Sequence, residues 1–335
     1  MTFSPRRTET HAPAGSGKRV FVLGATGTIG RATVRALARH GHTVVCFVRP
    51  GTVGDAAWPP SVRLRFGSVM DAASLAQDGL AGERFDAVVS CMASRTGAPK
   101  DAWAVDHRAH LHALAAAQQA GVTQWVQLSA ICVQKPLLAF QQAKLAFEAA
   151  LMASGLTYAI VRPTAFFKSL SGQIERVRSG KPFVLFGDGR LTACKPISDD
   201  DLADYLVGCL TDTACHNRVL PIGGPGDAIT PREQGEHLFA LLGRPPRFKQ
   251  VPVGVLDAVI GALSLAGRWV PALASKAELA RIGRYYATES MLVLDTTGRY
   301  DAAATPSTGT DTLFDFYARV LDGAAAPERG DHTVF

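Results

Sequence analysis

No uninterrupted run of 18 apolar residues occurs in the 335-residue chain, which argues against a membrane-spanning helix. The nearest approach, Val251 to Leu273, is broken by Asp257 and Arg268. It reads as a greasy surface helix, placed to touch a membrane peripherally or to cover a substrate. The first 18 residues, MTFSPRRTETHAPAGSGK, lack the apolar segment of a secretory signal, so a flexible tail is expected there and again at 326–335. No C-x-x-C pair is present either. Cys46, Cys91, Cys132, Cys194, Cys209 and Cys215 stand singly, with no histidine at ligand spacing. No metal site is therefore expected, and residues such as Cys46 and Cys91 read as small core side chains in a reducing compartment. A bacterial cytoplasm fits these features, with peripheral contact at the inner membrane, or a plastid if the source is a plant or alga. The net charge of +6 is spread along the chain rather than gathered on one segment, so no nucleic-acid partner is expected. An anionic small molecule accounts for the surplus better. No internal repeat of solenoid length appears, and nothing fixes an oligomeric state.

What is present is an alternation. Short apolar runs (Val20–Leu23, Thr43–Val48, Val62–Phe66, Ala87–Cys91, Trp125–Leu128 and Tyr158–Val161) are separated by helical segments such as Ile29–His40. Continuous apolar strands between helices predict a Rossmann-type, doubly wound parallel α/β sheet covered on both faces. After about residue 166 the alternation fades, which predicts a nucleotide domain over 19–165. A smaller substrate-binding portion over 166–325 would interleave with the last strands. Two helix starts are explicit: Ser198 before Asp199–Asp201, and Thr230-Pro231-x-Glu233, a capping box whose helix ends at Gly243. His107, His110 and His112 share one helical segment and read as a solvated face.

The first strand runs directly into Gly24-Ala25-Thr26-Gly27-Thr28-Ile29-Gly30 and a helix. Glycines are needed where the chain turns tightly and where backbone must approach a pyrophosphate, and the helix N-terminus then holds the phosphates. This placement at the head of a βαβ unit is what gives the motif its meaning. The second strand ends at Arg49, with no acid before Asp55. An acid there would bind the ribose 2′-hydroxyl, whereas arginine accommodates a 2′-phosphate, so the expected cofactor is NADPH.

The glycine spacing resembles the atypical short-chain dehydrogenase/reductases, including the NmrA-like and isoflavone-reductase-like branches. Those enzymes carry Tyr-x-x-x-Lys after the fifth strand; here the segment reads Phe140-Gln-Gln-Ala-Lys144. Phenylalanine has no hydroxyl to exchange a proton with a carbonyl oxygen. Alcohol–ketone exchange is thereby disfavoured, leaving hydride transfer to a conjugated C=C bond or nucleotide binding without catalysis. Longer blocks are more specific: VVSCMASRTGAPKDAW (88–103), LSAICVQKPLLAFQQAKLAFE (128–148), VRPTAFFKSLSGQ (161–173), KPFVLFGDGRLTACKPIS (181–198), LPIGGPG (220–226) and RIGRYYATESMLV (281–293). Together they resemble the divinyl chlorophyllide 8-vinyl reductases from Arg19 to Tyr300.

That resemblance implies reduction of the C8 vinyl group of divinyl chlorophyllide or protochlorophyllide to ethyl, in chlorophyll or bacteriochlorophyll biosynthesis. It implies that Lys144 acts at the nicotinamide ribose and that Cys91, Met92, Ala93, Ser129, Pro163 and Thr164 surround the nicotinamide. Phe140, Phe166, Phe167 and Phe186 become candidate walls for the flat macrocycle, and Lys168 and Lys195 candidate partners of its propionate. Two other readings stand beside it. One is a non-catalytic NADP(H)-binding sensor or photosystem assembly factor; the other is an isoflavone-reductase-like ene-reductase.

Overall fold

A computed structural model describes residues 17–52 and 58–324. The tails expected at 1–18 and 326–335 lie outside these residues, apart from Gly17 and Lys18. The first half alternates as the sequence suggested. It runs β1 (Arg19–Leu23), α1 (Thr28–Arg39), β2 (Thr43–Val48), β3 (Val62–Phe66), α2 (Ala72–Ser74) and β4 (Ala87–Ser90). It continues with α3 (Pro99–Ala102), α4 (His110–Gln119), β5 (Gln124–Leu128), α5 (Ala139–Met152) and β6 (Thr157–Pro163). The second half adds α6 (Phe167–Leu170), α7 (Ile174–Arg178), β7 (Phe183–Phe186), α8 (Asp199–Gly208), β8 (Arg218–Ile222), α9 (Pro231–Leu241) and β9 (Phe248–Val251). The last elements are α10 (Val253–Ala266), α11 (Pro271–Thr288), β10 (Val293–Leu294), β11 (Tyr300–Asp301) and α12 (Leu313–Leu321).

Seven strands form one parallel sheet in the order β3-β2-β1-β4-β5-β6-β8. Because successive strand residues point to opposite faces, each strand feeds two cores. Val20, Val22, Val44, Cys46 and Val89 pack with α1 and α8 on one side. Phe21, Leu23, Val45, Val88 and Trp125 pack with α4 and α5 on the other. Both faces are covered, which is why these strands read as unbroken apolar runs.

The second half is woven into the first. β8 extends the sheet beside β6, and α8 lies against α1, where Arg35 pairs with Asp200 and Arg39 with Asp204. The two helix starts legible in the sequence are built as expected. The Ser198 hydroxyl accepts from the Asp201 N–H, and Thr230 and Glu233 cap one another reciprocally. A separate pair, β7 with β9, carries Phe183 and Leu185 into a core shared with α7, α9 and α12. This pair has no alternating signature in the sequence, because it belongs to no βαβ repeat.

Candidate active site

At the carboxyl ends of β4, β5 and β6 the chain opens into a cavity of about 400 Å3. The strand order reverses between β1 and β4, at one side of this cavity, and in an open parallel sheet ligands bind outside the carboxyl ends of the strands at such a point. The cofactor side of the site is shaped by glycine. Gly24 holds φ +75°, and a Cβ there would lie 2.5 Å from the Met92 nitrogen. A Cβ on Gly30 would lie 2.0 Å from the Gly24 carbonyl oxygen. Gly27 occupies the N-cap of α1 without any side chain to bond the first N–H groups, and no acid lies in the first turn. These N–H groups and the positive end of the helix dipole suit a pyrophosphate. Arg49 stands exposed just beyond β2.

Cys91, Met92, Ala93, Ser129, Pro163 and Thr164 all line the cavity, as do Phe140 and Lys144 from α5. Phe140 and Lys144 reach it together because i and i+4 share a helix face. Behind this wall lie two buried carboxylates that sequence reasoning did not single out. Asp106 is 1% exposed and its Oδ1 accepts from the Lys144 ammonium at 3.0 Å and from the Ser94 N–H at 3.1 Å. Its Oδ2 is buried with no partner among the described residues. Glu148, also 1% exposed, accepts from the Ser129 hydroxyl and from the Arg162 guanidinium. The Ser129 proton is thereby committed, so its oxygen faces the cavity as an acceptor. The thiols in the wall stay protonated at neutral pH. Burial pushes Cys91 up to about 11 and Cys194 up to about 12.

Of the residues expected to hold the pigment, three lie elsewhere than expected. Phe166 and Phe186 line the cavity, but Phe167 is 3% exposed and packs with Ile174, Leu238 and Tyr317 in the core beneath it. A single-residue step along the chain turned it inward. Lys195 donates to the Thr305 carbonyl and the Ser307 hydroxyl, tying down the C-terminal loop rather than facing a ligand. Lys168 reaches away from the cavity to the Thr28 hydroxyl at 2.6 Å. His110 also departs from the solvated face expected of it. It is 1% exposed and bonded to Ser90, Gln127 and the Val105 carbonyl, because the helix face it occupies is covered by β4 and β5. The sequence also gave no warning that α11 closes the cavity with Ile282, Gly283, Tyr286 and Ala287. The 281–293 block carried that information only as a family signature.

The comparisons with known proteins agree with this geometry. The NAD(P)H-binding family matches residues 24–213. A divinyl chlorophyllide a 8-vinyl-reductase of rice (Oryza sativa subsp. indica), chloroplastic, is 51% identical over 340 residues, covering 96% of this chain and 83% of that protein. The chain belongs to this reductase family. The chloroplastic enzyme of the same name from Cucumis sativus is 50% identical, over 94% of this chain and 79% of that protein. Among solved structures, an epimerase of Methanothermobacter thermautotrophicus superimposes with a TM-score of 0.66 at 16% identity. That match covers 92% of this chain and 93% of that one, and it bears on the fold alone. The chain is therefore an oxidoreductase with an NAD(P)H-binding domain on a Rossmann fold.

Proposed function

We propose that this protein reduces the C8 vinyl group of divinyl chlorophyllide or protochlorophyllide to ethyl, using NADPH. The observation that carries the reading is the pairing of Lys144 with Phe140 on the wall of a largely apolar cavity. The lysine of a reductase is kept there, while the hydroxyl needed for carbonyl chemistry is missing. NADPH, when bound, supplies a hydride; one further proton completes the ethyl group. A conjugated macrocycle spreads the developing negative charge over its own π-system, so no hydroxyl is needed at an oxygen. Lys144 orients the nicotinamide ribose and is itself held by Asp106. Ser129, Thr164 and Cys91–Ala93 surround the nicotinamide, and Arg49 receives the 2′-phosphate. Phe140, Phe166 and Phe186 offer flat apolar faces to the ring.

The test is an absorbance assay with divinyl chlorophyllide and NADPH. Conversion to the monovinyl pigment with matching loss of NADPH absorbance is expected. Cofactor binding with the vinyl group untouched would overturn the reading in favour of a sensor or assembly factor.

A second element of the reading concerns the membrane. α10 has no buried residue; Val255, Val259 and Leu265 are 47%, 42% and 63% exposed, and Trp269, beside Arg268, is 86% exposed. Among the described residues no helix is long and apolar enough to cross a bilayer. An apolar strip ending in Arg268-Trp269 suits the interface of a lipid surface. Co-sedimentation with anionic vesicles should fall on Trp269→Ala with activity on detergent-dispersed pigment retained. Unchanged sedimentation would remove the membrane role.

A further inference from the structure

Turning a vinyl into an ethyl group takes a proton at carbon as well as a hydride, and most polar groups of the cavity wall are committed elsewhere. Ser129 and Thr164 give their protons to the Glu148 carboxylate and the Lys195 carbonyl. The Cys91 and Cys194 thiols are turned to the Thr33 hydroxyl and the Ile229 carbonyl. Glu289 is an acceptor for Lys135 and Tyr300, and Lys144 is held by Asp106. Tyr286 of α11 stands apart from these. It lines the cavity, as does Cys132, whose thiol its hydroxyl meets. Ile282, one turn earlier on the same helix face, abuts the Phe140 side of the site: a Cβ built on Gly97 would lie 2.8 Å from Ile282 Cδ1 and 3.7 Å from Phe140 Cδ1. The face of α11 that carries Tyr286 thus converges on the wall shared by Phe140 and Lys144. Tyr286 is 42% exposed overall, but its hydroxyl end is enclosed at Cys132. Desolvation, with the thiol acting in the same direction, holds its pKa well above the ordinary 10, so the phenol keeps its proton at neutral pH.

We propose that Tyr286 is the proton donor of the vinyl reduction, placed on α11 rather than at the tyrosine position of α5. The Tyr286 O–H bond breaks, and a C–H bond forms with the electron pair that hydride delivery leaves on the conjugated macrocycle. The phenolate then recovers a proton from water. A hydroxyl at position 140 would serve a carbonyl oxygen, whereas a substrate protonated at carbon needs its acid elsewhere on the wall. The inference rests on the proposed vinyl reduction, and its test separates the two.

In the full-length chain, Tyr286→Phe removes the proton and keeps the ring, so the variant is expected to fold, as circular dichroism and Tm verify. With divinyl chlorophyllide and NADPH, its kcat should fall by about 100-fold or more. Dissociation constants for pigment and cofactor should stay unchanged, since the apolar contact remains. Isotope effects then separate proton donation from a merely structural role. With protonation made limiting in the variant, the solvent deuterium effect on kcat should grow and the effect of 4-deuterated NADPH should shrink. A kcat close to that of the unmodified protein overturns the proposal and leaves the proton to water. A lowered kcat with both isotope effects unaltered overturns it in favour of a positioning role. Weakened pigment binding overturns it in favour of a pigment contact. If the unmodified protein left the vinyl group untouched, the underlying reading of the reaction would fail instead.

Discussion

The ammonium of Lys144 and the carboxylate of Asp106 are both withdrawn from water, at 11% and 0% side-chain exposure. A buried charge that loses its partner keeps its desolvation cost and loses the compensating attraction. Asp106→Asn should therefore destabilise the fold by about 3 kcal/mol, read by urea denaturation; a change below about 1 kcal/mol would show that the pair is not coupled. His110 gives a pH signature. Burial holds its pKa down to about 4 against an ordinary value of 6.5, with the Lys144 charge acting in the same direction. Between these values the unfolded chain binds a proton that the folded chain refuses, so stability is complete above about pH 6.5 and declines as pH falls toward 4. The slope from this one group is at most about 1.4 kcal/mol per pH unit. His110→Gln should flatten the decline over that window in a series of denaturation curves. An unaltered slope would remove His110 as its source.

At the scale of elements, the turn between β1 and α1 has the least tolerance. A Cβ at Gly24 meets the Met92 nitrogen and the Cys91 carbonyl carbon at 2.5 and 2.6 Å, at a φ of +75° that side chains rarely adopt. Since both obstacles are backbone, neither can rotate aside. Gly24→Ala should lower NADPH affinity more than tenfold by separating the turn from the end of β4, at a conformational cost of about 1–2 kcal/mol or more. Fluorescence titration of the reduced nicotinamide measures it, and an affinity within twofold of the original would contradict the account. α9 is a milder case. Thr230 and Glu233 close a capping box on an exposed helix start. Thr230→Ala should cost about 1 kcal/mol by denaturation with vinyl reduction intact, and a loss of activity at unchanged stability would reveal a role beyond capping.

At the scale of the whole molecule, cofactor and fold are linked. A ligand that binds only the native state adds about 2.7 kcal/mol at a hundredfold excess over Kd. NADPH should thus raise Tm, and NADH less so at equal concentration if Arg49 reads the 2′-phosphate. An equal rise with both would remove that assignment. The parallel sheet, the glycine turn and the two capped helices were legible because each is written in local periodicity or in residues a few positions apart. Lys144 stood out only through its match to the family's Tyr-x-x-x-Lys segment, and the i, i+4 spacing explains why it reaches the cavity wall beside Phe140. The sequence by itself determined these features, and its long blocks determined the family. Only the tertiary structure decided that Asp106 holds Lys144 and Glu148 holds Ser129. It also decided that Phe167 faces the core, that Lys195 ties a loop, and that Lys168 meets Thr28 rather than the cavity. Such contacts join residues whose separation along the chain carries no period. Which side of a strand-end loop a residue faces is set by a single peptide rotation that the packing of the whole molecule selects.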